Sequence, residues 1–538
     1  MWAGMMTSAC GGSSARLVSC GKTTWLARQC QNVVAKYGDR GALVVSLTKA
    51  AAREAGGRDT GLDASMVGTL HSHCYRGLGS PTLLTREHIV EWNRRYPESE
   101  MDPAGFRGTV DDVPELGGNN FPGDELHQTS DLFRHQLRDV SLWPTEELRF
   151  HKNWTAFKES VGAIDFTDMI ERAVTDVPLP PGSPSVLFAD EAQDLSRLEL
   201  SVLTRWMRHV EHLVLVGDPD QAIYGWRGSD PQILDGERFK VLEQSYRVPR
   251  AVHAAAVELI GEAHNRQPVV YLPKAEEGWV DRSLFSVRQP ARLVEELAEY
   301  ADRGHSVMFL ALSAYLVAPI EGELRRQGIP FHNPYTPRWN PLAGGAGIST
   351  ARRILAFLDR DSIGDLKLFA PLLAADGVLR RGGKKRLEGL GDEPLTEEQQ
   401  AELILALFTD ETVAQLWGDP PLDIAGSVEW LRAHILASRS ASIQFPLDVL
   451  ERGGRQALEE TPRICIGTCH SVKGGEADVV VVAPDLPRAA LENYNDHETW
   501  YGRDSILRLF YVALTRAKQG VVITQPIDRR AYVQELAA

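Results

Sequence analysis

The chain has 538 residues, 43% hydrophobic and 24% charged, a composition typical of a globular protein with three or four domains of about 150 residues each. It has no run of about 18 apolar residues, no convincing signal peptide and only six cysteines without a C-x-x-C pair, which favours a cytoplasmic protein lacking membrane spans, structural zinc and iron–sulfur clusters. On a whole-chain count, the formal net charge of −15 speaks against a nucleic-acid-binding protein, although binding is decided by a local groove that net charge does not describe.

A phosphate-binding helix start is predicted at residues 19–24, which read S-C-G-K-T-T. Backbone N–H groups at such a helix start cradle phosphate, while Lys22 would reach the terminal phosphates and the Thr23 hydroxyl would bind Mg²⁺. Arg16 stands where the usual G-x-x-x-x-G-K-T loop has its first glycine, and residues 15–18 predict only a poor preceding strand. On these local grounds an incidental helix start is an equally good interpretation.

Strand, helix and strand then follow at the spacing of a βαβ unit. Residues 41–47 predict a buried strand, 48–54 a helix, and 67–73 a third strand that ends in hydroxyls and histidines. His71 and His73 have no third ligand at a suitable spacing, so contact with a phosphate or a base is a better interpretation than a metal site.

The apolar run at residues 186–189 predicts a buried strand, and the acidic segment D-E-A-Q-D follows it at 190–194. At the carboxyl end of a parallel strand, Asp190 would hold Mg²⁺ and Glu191 would orient and deprotonate a water molecule. This arrangement favours hydrolysis of a nucleoside triphosphate. A solvated helix cap is the alternative, because Asp-Leu-Ser is ordinary at a helix start.

A further core strand, 213–216, leads into a polar turn and an aromatic pair. Gln221 is suited to sensing a phosphate, and Tyr224 and Trp226 beside a following arginine are suited to stacking on nucleobases. Core packing is the alternative for both rings, but the flanking glycines and charges favour exposed positions. After a strand-like segment at 239–242, the Tyr-Arg pair at 246–247 offers a ring for a base and a cation for a phosphate.

Two helical stretches and a second α/β unit complete the predicted architecture. A mainly helical insertion is expected at residues 76–158, and the second unit begins near residue 249 with its own helical stretch at 343–457. Strands of this unit are predicted at 306–312, 463–467, 478–483 and 520–524, and two further motifs lie at 468–476 and 511–518.

Taken in order, these segments resemble the motifs of the UvrD/Rep/PcrA-like group of superfamily 1 DNA helicases. The resemblance implies an α/β fold with two RecA-like parallel-sheet domains of the P-loop NTPase type, each with a mainly helical insertion. The domains would be residues 1–75 with 159–248 and residues 249–342 with 458–538, and the insertions would be 76–158 and 343–457. The matching segments are the phosphate loop at 21–24, residues 46–54, which are similar to T-F-T-N-K-A-A-R-E, T-L-H-S at 69–72, D-E-A-Q-D at 190–194, the G-D-x-x-Q-x-I-Y-x-W-R-G pattern at 217–228, Y-R at 246–247, T-x-H-x-x-K-G-x-E at 468–476 and V-A-x-T-R-A at 512–517.

The same resemblance implies the role of each matching residue. Glu191 would be the general base, Gln221 the γ-phosphate sensor, and Arg247 and Arg516 arginine fingers, while Tyr246 would stack on adenine and Glu476 would contact the ribose. ATP and Mg²⁺ would be bound by Ser19, Cys20, Gly21, Lys22, Thr23 and Thr24, with Thr23 and Asp190 as the metal contacts. A single-stranded DNA track would be lined by Thr48, His71, Tyr224, Trp226, Thr468 and His470.

An ATP-dependent DNA helicase or single-strand translocase of 3′-to-5′ polarity is therefore expected. It would act in replication, recombination or repair on single-stranded and partially duplex DNA, with a replication or repair protein as a possible partner. The chain departs from the family pattern at Arg16 and Ser19, where glycines are expected, which suggests a mis-assigned start or a decayed loop. The alternative is a catalytically impaired, DNA-binding or partner-recruiting homologue with a degraded phosphate loop.

Overall fold

The computed structural model describes most of the chain. The described residues are 13–19, 22–46, 60–103, 121–229, 239–242, 244–266, 268–334, 339–342, 349–391, 396–497, 500–528 and 530–536. In the strands at 13–19 and 239–242, and at Thr23, the description covers the backbone alone.

A first parallel sheet of six strands has the order β3-β2-β4-β5-β1-β6. The segment with the poorest strand pattern, β1, is a seven-residue central strand that pairs with both β5 and β6. The prediction of a poor strand there was wrong, because pairing on both sides stabilises a segment that its own sequence favours weakly. The strands are β1 (Ser13–Ser19), β2 (Ala42–Ser46), β3 (Val67–Thr69), β4 (Val186–Ala189), β5 (His212–Gly217) and β6 (Phe239–Leu242).

A second parallel sheet of six strands has the order β7-β12-β11-β8-β10-β9. The four interior strands, β8, β10, β11 and β12, are those that the apolar runs predicted. The two sheets confirm the predicted α/β class. The strands are β7 (Trp279–Arg282), β8 (Val307–Ala311), β9 (Phe331–His332), β10 (Ile464–Thr468), β11 (Ala477–Val482) and β12 (Ala517–Ile523).

Helices surround both sheets. Those up to residue 261 are α1 (Lys22–Tyr37), α2 (Leu70–Gly77), α3 (Arg86–Arg95), α4 (Pro122–His135), α5 (Thr145–Val161), α6 (Phe166–Asp176), α7 (Arg197–Met207) and α8 (Arg250–Gly261). Those that follow are α9 (Pro290–Asp302), α10 (Ala314–Arg326), α11 (Thr350–Asp359), α12 (Ile363–Phe369), α13 (Gly383–Glu388), α14 (Glu397–Leu407), α15 (Asp410–Leu416), α16 (Ile424–His434), α17 (Ala437–Gly453), α18 (Gln456–Glu459), α19 (Arg488–Tyr494) and α20 (Tyr501–Leu514). None of the helices in the described ranges is long and apolar enough to cross a membrane.

The third predicted strand is shorter than expected. β3 ends at Thr69, and the residues from Leu70 onward form α2, so His71 and His73 lie on a helix. The Thr69 hydroxyl accepts a hydrogen bond from the Ser72 N–H at 3.1 Å, which caps the helix. This capping signal outweighs the short apolar run that predicted a continuous strand.

Hydrophobic cores connect the helical segments with the sheets and the two sheets with each other. Trp92, Phe150 and Trp154 form a separate small core within the first helical stretch. The described residues of the second helical stretch share one hydrophobic cluster with the second sheet and pack against one of its faces. One hydrophobic cluster joins Leu187 and Leu215 of the first sheet to Val480 and Val521 of the second. The two sheets therefore share buried apolar surface next to the cleft between them.

Candidate nucleotide site and nucleic-acid track

The carboxyl ends of β4, β5 and β1 are neighbours in the first sheet and bring the predicted phosphate and acidic groups together. α1 begins at Lys22 soon after β1, Asp190 follows β4, and Asp218 follows β5. The Lys22 ammonium is buried and lies 3.3 Å from the Glu191 carboxylate. The edge of a parallel sheet where these groups meet is the usual place for a ligand in an open α/β fold.

The acidic segment after β4 is held in a specific backbone geometry. Glu191 adopts the left-handed conformation, with φ +53° and ψ +40°, which residues other than glycine rarely adopt. The Asp190 carboxylate accepts a hydrogen bond from the Glu191 N–H at 3.0 Å, and the Gln193 amide donates to the Glu191 carboxylate. Gln193 also accepts from the Asp218 N–H at 2.9 Å, so the end of β4 is tied to the end of β5.

Opposite charges determine the protonation of the Lys22–Glu191 pair. Burial disfavours the charged form of Glu191, but Lys22 and Lys473 outweigh it and lower the pKa of this carboxyl group to about 2. Burial also disfavours the Lys22 ammonium, but Glu191, Asp218 and Asp190 together raise the pKa of this amine. Both groups are therefore charged at neutral pH. Glu191 can accept a proton, and Lys22 can bind an anionic phosphate.

Arg516 reaches this site from the second-sheet side. Its guanidinium Nη2 donates to the Gln221 side-chain oxygen at 3.1 Å, and the Gln221 amide donates to the Asp218 carboxylate at 2.7 Å. Burial and the nearby Arg247 lower the pKa of Arg516 to about 10, so this buried group keeps its charge at neutral pH. The structure thus brings two of the predicted catalytic residues, Gln221 and Arg516, into direct contact.

Three other predicted residues lie at the mouth of the cleft. The Arg247 guanidinium donates to the Glu476 carboxylate at 3.1 Å, and both side chains are partly exposed. Tyr246 is 78% exposed, so its ring is open to stacking on a base. The exposed Tyr246 ring leaves room for an adenine base to stack on it beside the cleft.

The predicted phosphate-loop residues are described only in part. Ser19 is the last residue of β1, and Cys20 and Gly21 lie outside the described residues. Thr23 and Thr24 follow Lys22 in the first turn of α1, where helix N–H groups point towards a bound anion. For Thr23 the backbone position alone is described.

The residue set fits a magnesium–nucleotide complex. Buried carboxylates at Asp190 and Asp218 are the oxygen ligands that Mg²⁺ prefers, and Lys22 at the start of a 16-residue helix suits phosphate. A second group of potential metal ligands among the described residues, His127, Asp131 and Asp165, lies in the first helical stretch and its junction with α6. There Arg134 already pairs with Asp165 at 3.2 Å, so that cluster is neutralised by the protein itself.

Sequence reasoning missed Lys473 and Asp194, which form a buried ion pair across the cleft. The Lys473 ammonium also donates to the Gln221 backbone carbonyl at 2.8 Å and lies 3.9 Å from the Glu191 carboxylate. Burial raises the pKa of Asp194 to about 6, although Lys473 opposes this shift. The lysine of the T-x-H-x-x-K-G-x-E segment was the available signal, but nothing local indicated its partner.

The described residues predicted for the DNA track differ in exposure. His71 and His470 are buried, and burial is the main cause that lowers the pKa of His71 to about 3 and that of His470 to about 4. Both imidazoles are therefore neutral at pH 7. Thr468 is the half-buried last residue of β10, and its hydroxyl accepts from the Ser471 N–H at 3.3 Å. Thr48 lies outside the described residues.

The exposed position expected for Tyr224 is wrong. Its ring is buried, with the Lys473 ammonium 5.2 Å and the Arg227 guanidinium 5.9 Å from the ring centre. The two cations and the hydrophobic cluster enclose the ring, because cations bind well to an aromatic face that is shielded from water. Trp226 is half-buried and meets Tyr224 edge to face at 6.2 Å, so part of its ring remains available.

The chain matches known helicase sequences at both sheets. The model of the UvrD/REP helicase N-terminal domain matches residues 182–240, and that of the UvrD-like helicase C-terminal domain matches residues 463–524. The chain is 34% identical over 530 residues to the ATP-dependent DNA helicase PcrA of Staphylococcus aureus (strain COL), covering 82% of this chain and 68% of that protein. It is 26% identical over 271 residues to the ATP-dependent DNA helicase PcrA of Bacillus subtilis (strain 168), covering 44% of this chain and 35% of that protein.

The extent of the first match decides the family. The chain spans about two thirds of the Staphylococcus aureus protein and, in the second match, about one third of the Bacillus subtilis protein. The matched domains contain the acidic segment after β4, Gln221 and Arg516, which the structure brings together across the cleft. The chain belongs to the UvrD/Rep family of ATP-dependent DNA helicases.

Proposed function

We propose that the chain hydrolyses ATP to move along single-stranded DNA with 3′-to-5′ polarity and to unwind duplexes during replication, recombination or repair. The observation that carries this proposal is the contact of Arg516 with Gln221, which joins elements of the two sheets at the acidic edge of the first. A γ-phosphate between Gln221 and Arg516 would make hydrolysis depend on how closely the sheets approach.

In this mechanism the residues of the first sheet prepare the attack. Phosphate oxygens would compete with Glu191 for the Lys22 ammonium, which lies 3.3 Å from that carboxylate. The freed Glu191, whose pKa is held low by Lys22 and Lys473 against burial, would orient the water and accept its proton. Thr23 and Asp190 would hold Mg²⁺, which would neutralise charge on the phosphate oxygens.

Two arginines, a tyrosine and a glutamate would complete the site. Arg247 and Arg516 would stabilise the negative charge that develops on the transferred phosphoryl group, an effect of about 10³–10⁵ in rate for arginine fingers. Tyr246 would stack on the adenine and Glu476 would contact the ribose. Arg247 and Glu476 now pair at 3.1 Å, so nucleotide binding would exchange this partly exposed pair for contacts to ATP.

The DNA track would run along the cleft past Thr48, His71, Trp226, Thr468 and His470, with Tyr224 as a packed support. Trp226 would provide the stacking surface for a base. We retain the division into two RecA-like domains, 1–75 with 159–248 and 249–342 with 458–538, and two helical insertions, 76–158 and 343–457, as part of this proposal. Single-stranded and partially duplex DNA would be the substrates, and a replication or repair protein a partner.

A second candidate is a DNA-binding or partner-recruiting homologue with impaired hydrolysis. The observation that favours it is the phosphate loop itself, where Arg16 and Ser19 replace the expected glycines. Such substitutions would hinder close approach of the backbone to phosphate. The acidic segment, Gln221 and both arginines are intact, which favours the first candidate.

The deciding measurement is the ATPase rate with and without a single-stranded oligonucleotide. We expect the oligonucleotide to stimulate turnover at least about tenfold, and Lys22→Ala to abolish both rates because phosphate loses its cation. Lys152→Ala, at an exposed position on α5, is the matched control and should retain the stimulation. Binding of the oligonucleotide without any ATPase activity would instead establish the second candidate.

A further inference from the structure

An ion pair between Arg266 and Asp220 joins the second-sheet side to the residue that precedes Gln221. The guanidinium Nε lies 2.8 Å from Oδ1 of Asp220, and Nη2 lies 2.8 Å from Oδ2. The two side chains are 13% and 3% exposed, so the pair is bidentate and nearly free of water. A bidentate arginine–carboxylate pair fixes orientation as well as distance.

The loop that presents Arg266 is itself held by α20. The Asp504 carboxylate accepts hydrogen bonds from the N–H groups of His264 at 2.8 Å and Asn265 at 2.7 Å. Arg508 donates to the Asn265 carbonyl at 2.6 Å. Asp504 and Arg508 are both buried side chains of α20. The position of Arg266 is therefore determined by α20 and moves with it.

Asp220 lies inside the turn that orients Gln221. The Asp220 N–H donates to Oδ1 of Asp218 at 3.1 Å, and the Gln221 side-chain amide donates to Oδ2 of Asp218 at 2.7 Å. The Gln221 N–H closes the turn on the Asp218 carbonyl at 2.9 Å. Since Arg516 follows α20, this helix reaches Gln221 by two routes, one through Arg516 and one through Arg266 and Asp220.

We infer that Arg266 is a positioning residue that holds the turn at residues 218–221 in register with α20, and thereby places Gln221 against the nucleotide. Its kinetic consequence rests on the proposed ATP hydrolysis, whereas its structural consequence does not. Loss of the guanidinium would leave the buried carboxylate without its bidentate partner, and the turn that carries it would lose that fixed contact to α20. A displacement of about 1 Å in a positioning group can reduce a rate about 100-fold.

The electrostatics of the pair agree with this role. Burial raises the pKa of Asp220 to about 6 even with Arg266 beside it, and the neighbouring Asp218 adds to that rise. The same carboxylate raises the pKa of Arg266 against the effect of burial. The charged pair thus exists because each partner stabilises the other inside the protein.

Hydrogen–deuterium exchange tests the structural consequence in nucleotide-free protein. In Arg266→Gln, the backbone N–H groups of residues 218 and 220–223 should exchange at least about tenfold faster, while those of the interior strand β11 keep their protection. Arg282→Gln, at an exposed position on β7, is the matched control and should leave the turn unchanged. Unchanged exchange of residues 218 and 220–223 in Arg266→Gln overturns the inference, whatever the enzymatic activity.

Steady-state ATPase assays separate positioning from mere stabilisation. Arg266→Gln should lower the DNA-stimulated kcat by about 10- to 100-fold with a KM for ATP within about threefold of the original. Arg266→Lys keeps the charge without the bidentate contact, so its DNA-stimulated kcat should lie between those of Arg266→Gln and the unaltered protein. The double variant Asp220→Asn/Arg266→Gln, a neutral pair, should regain thermal stability because it has no unpaired buried charge. Its kcat should stay low, because the bidentate contact that fixes the turn is still missing.

The outcomes distinguish this inference from the proposed function. If the unaltered protein shows no DNA-stimulated ATPase, the proposed function fails and the exchange experiment alone decides the role of Arg266. If the unaltered protein is stimulated and the neutral pair recovers both stability and kcat, Arg266 only stabilises the fold and the inference is wrong.

Discussion

Lys473 and Asp194 form a buried ion pair that joins the segment after β10 to the acidic segment after β4, 279 residues apart in the chain. Both side chains are almost fully enclosed, and Lys473 donates a further hydrogen bond to the carbonyl of Gln221. One ammonium group therefore contacts the acidic segment after β4 and the turn that carries Gln221 at once. This arrangement makes Lys473 a structural link between the sheets.

Removal of Lys473 is expected to destabilise the closed arrangement. Lys473→Gln leaves Asp194 buried without its partner, which should lower the free energy of unfolding by about 3–5 kcal/mol in urea denaturation. The double variant Lys473→Gln/Asp194→Asn should lose markedly less free energy of unfolding than Lys473→Gln, because neither residue is then charged. With Asp194→Asn measured as well, a loss in the double variant equal to the sum of the two single losses would show that the pair contributes no coupling energy.

Glu191→Gln is expected to separate nucleotide binding from hydrolysis. The amide keeps the shape of the side chain but cannot accept the proton of the attacking water, so the ATPase kcat should fall by about 10²–10⁴-fold. Affinity for a fluorescent ATP analogue should remain within a few-fold, since Lys22 is retained. Glu258→Gln, at an exposed position on α8, is the control, and an unaltered kcat in Glu191→Gln would assign the base to another residue.

The acidic segment could be predicted because its signal is local. A strand of four buried apolar residues followed directly by D-E-A-Q-D identifies both the strand and the site at its end. The interior strands of the second sheet were predictable for the same reason. Such patterns arise because buried parallel strands need continuous apolar runs.

The remaining features depend on contacts that leave little local trace. β7 is partly exposed and β9 has two residues, so neither edge strand produces an apolar run. The partners of Lys473 and Arg266 come from distant segments, and only the folded cleft brings them together. Tyr224 was expected at the surface because glycines and charges flank it, but the neighbouring Arg227 and the distant Lys473 both lie against its ring.

Trp226→Ala should weaken binding of single-stranded DNA about 10-fold or more, because stacking of one base on an aromatic ring contributes about 1–3 kcal/mol. Trp226→Phe keeps a ring and should retain most of the affinity. Stacking involves no ion release, so the dependence of affinity on salt concentration should be the same in both variants. Fluorescence anisotropy with a labelled oligonucleotide measures both quantities, and an unchanged affinity in Trp226→Ala would place the bases elsewhere.

Acid should destabilise the protein partly through His470. This imidazole is neutral in the folded chain because burial lowers its pKa to about 4, whereas its ordinary value is 6.5. Its contribution to stability is therefore fully present above pH 6.5 and is lost as the pH falls towards 4, because the unfolded chain binds the proton more readily. The loss amounts to about 3 kcal/mol over this range. In His470→Asn, urea denaturation between pH 7.5 and 4 should show a shallower decline in the free energy of unfolding than in the unaltered protein. Parallel pH profiles for the two proteins would mean that the pKa of His470 is the same in the folded and the unfolded chain.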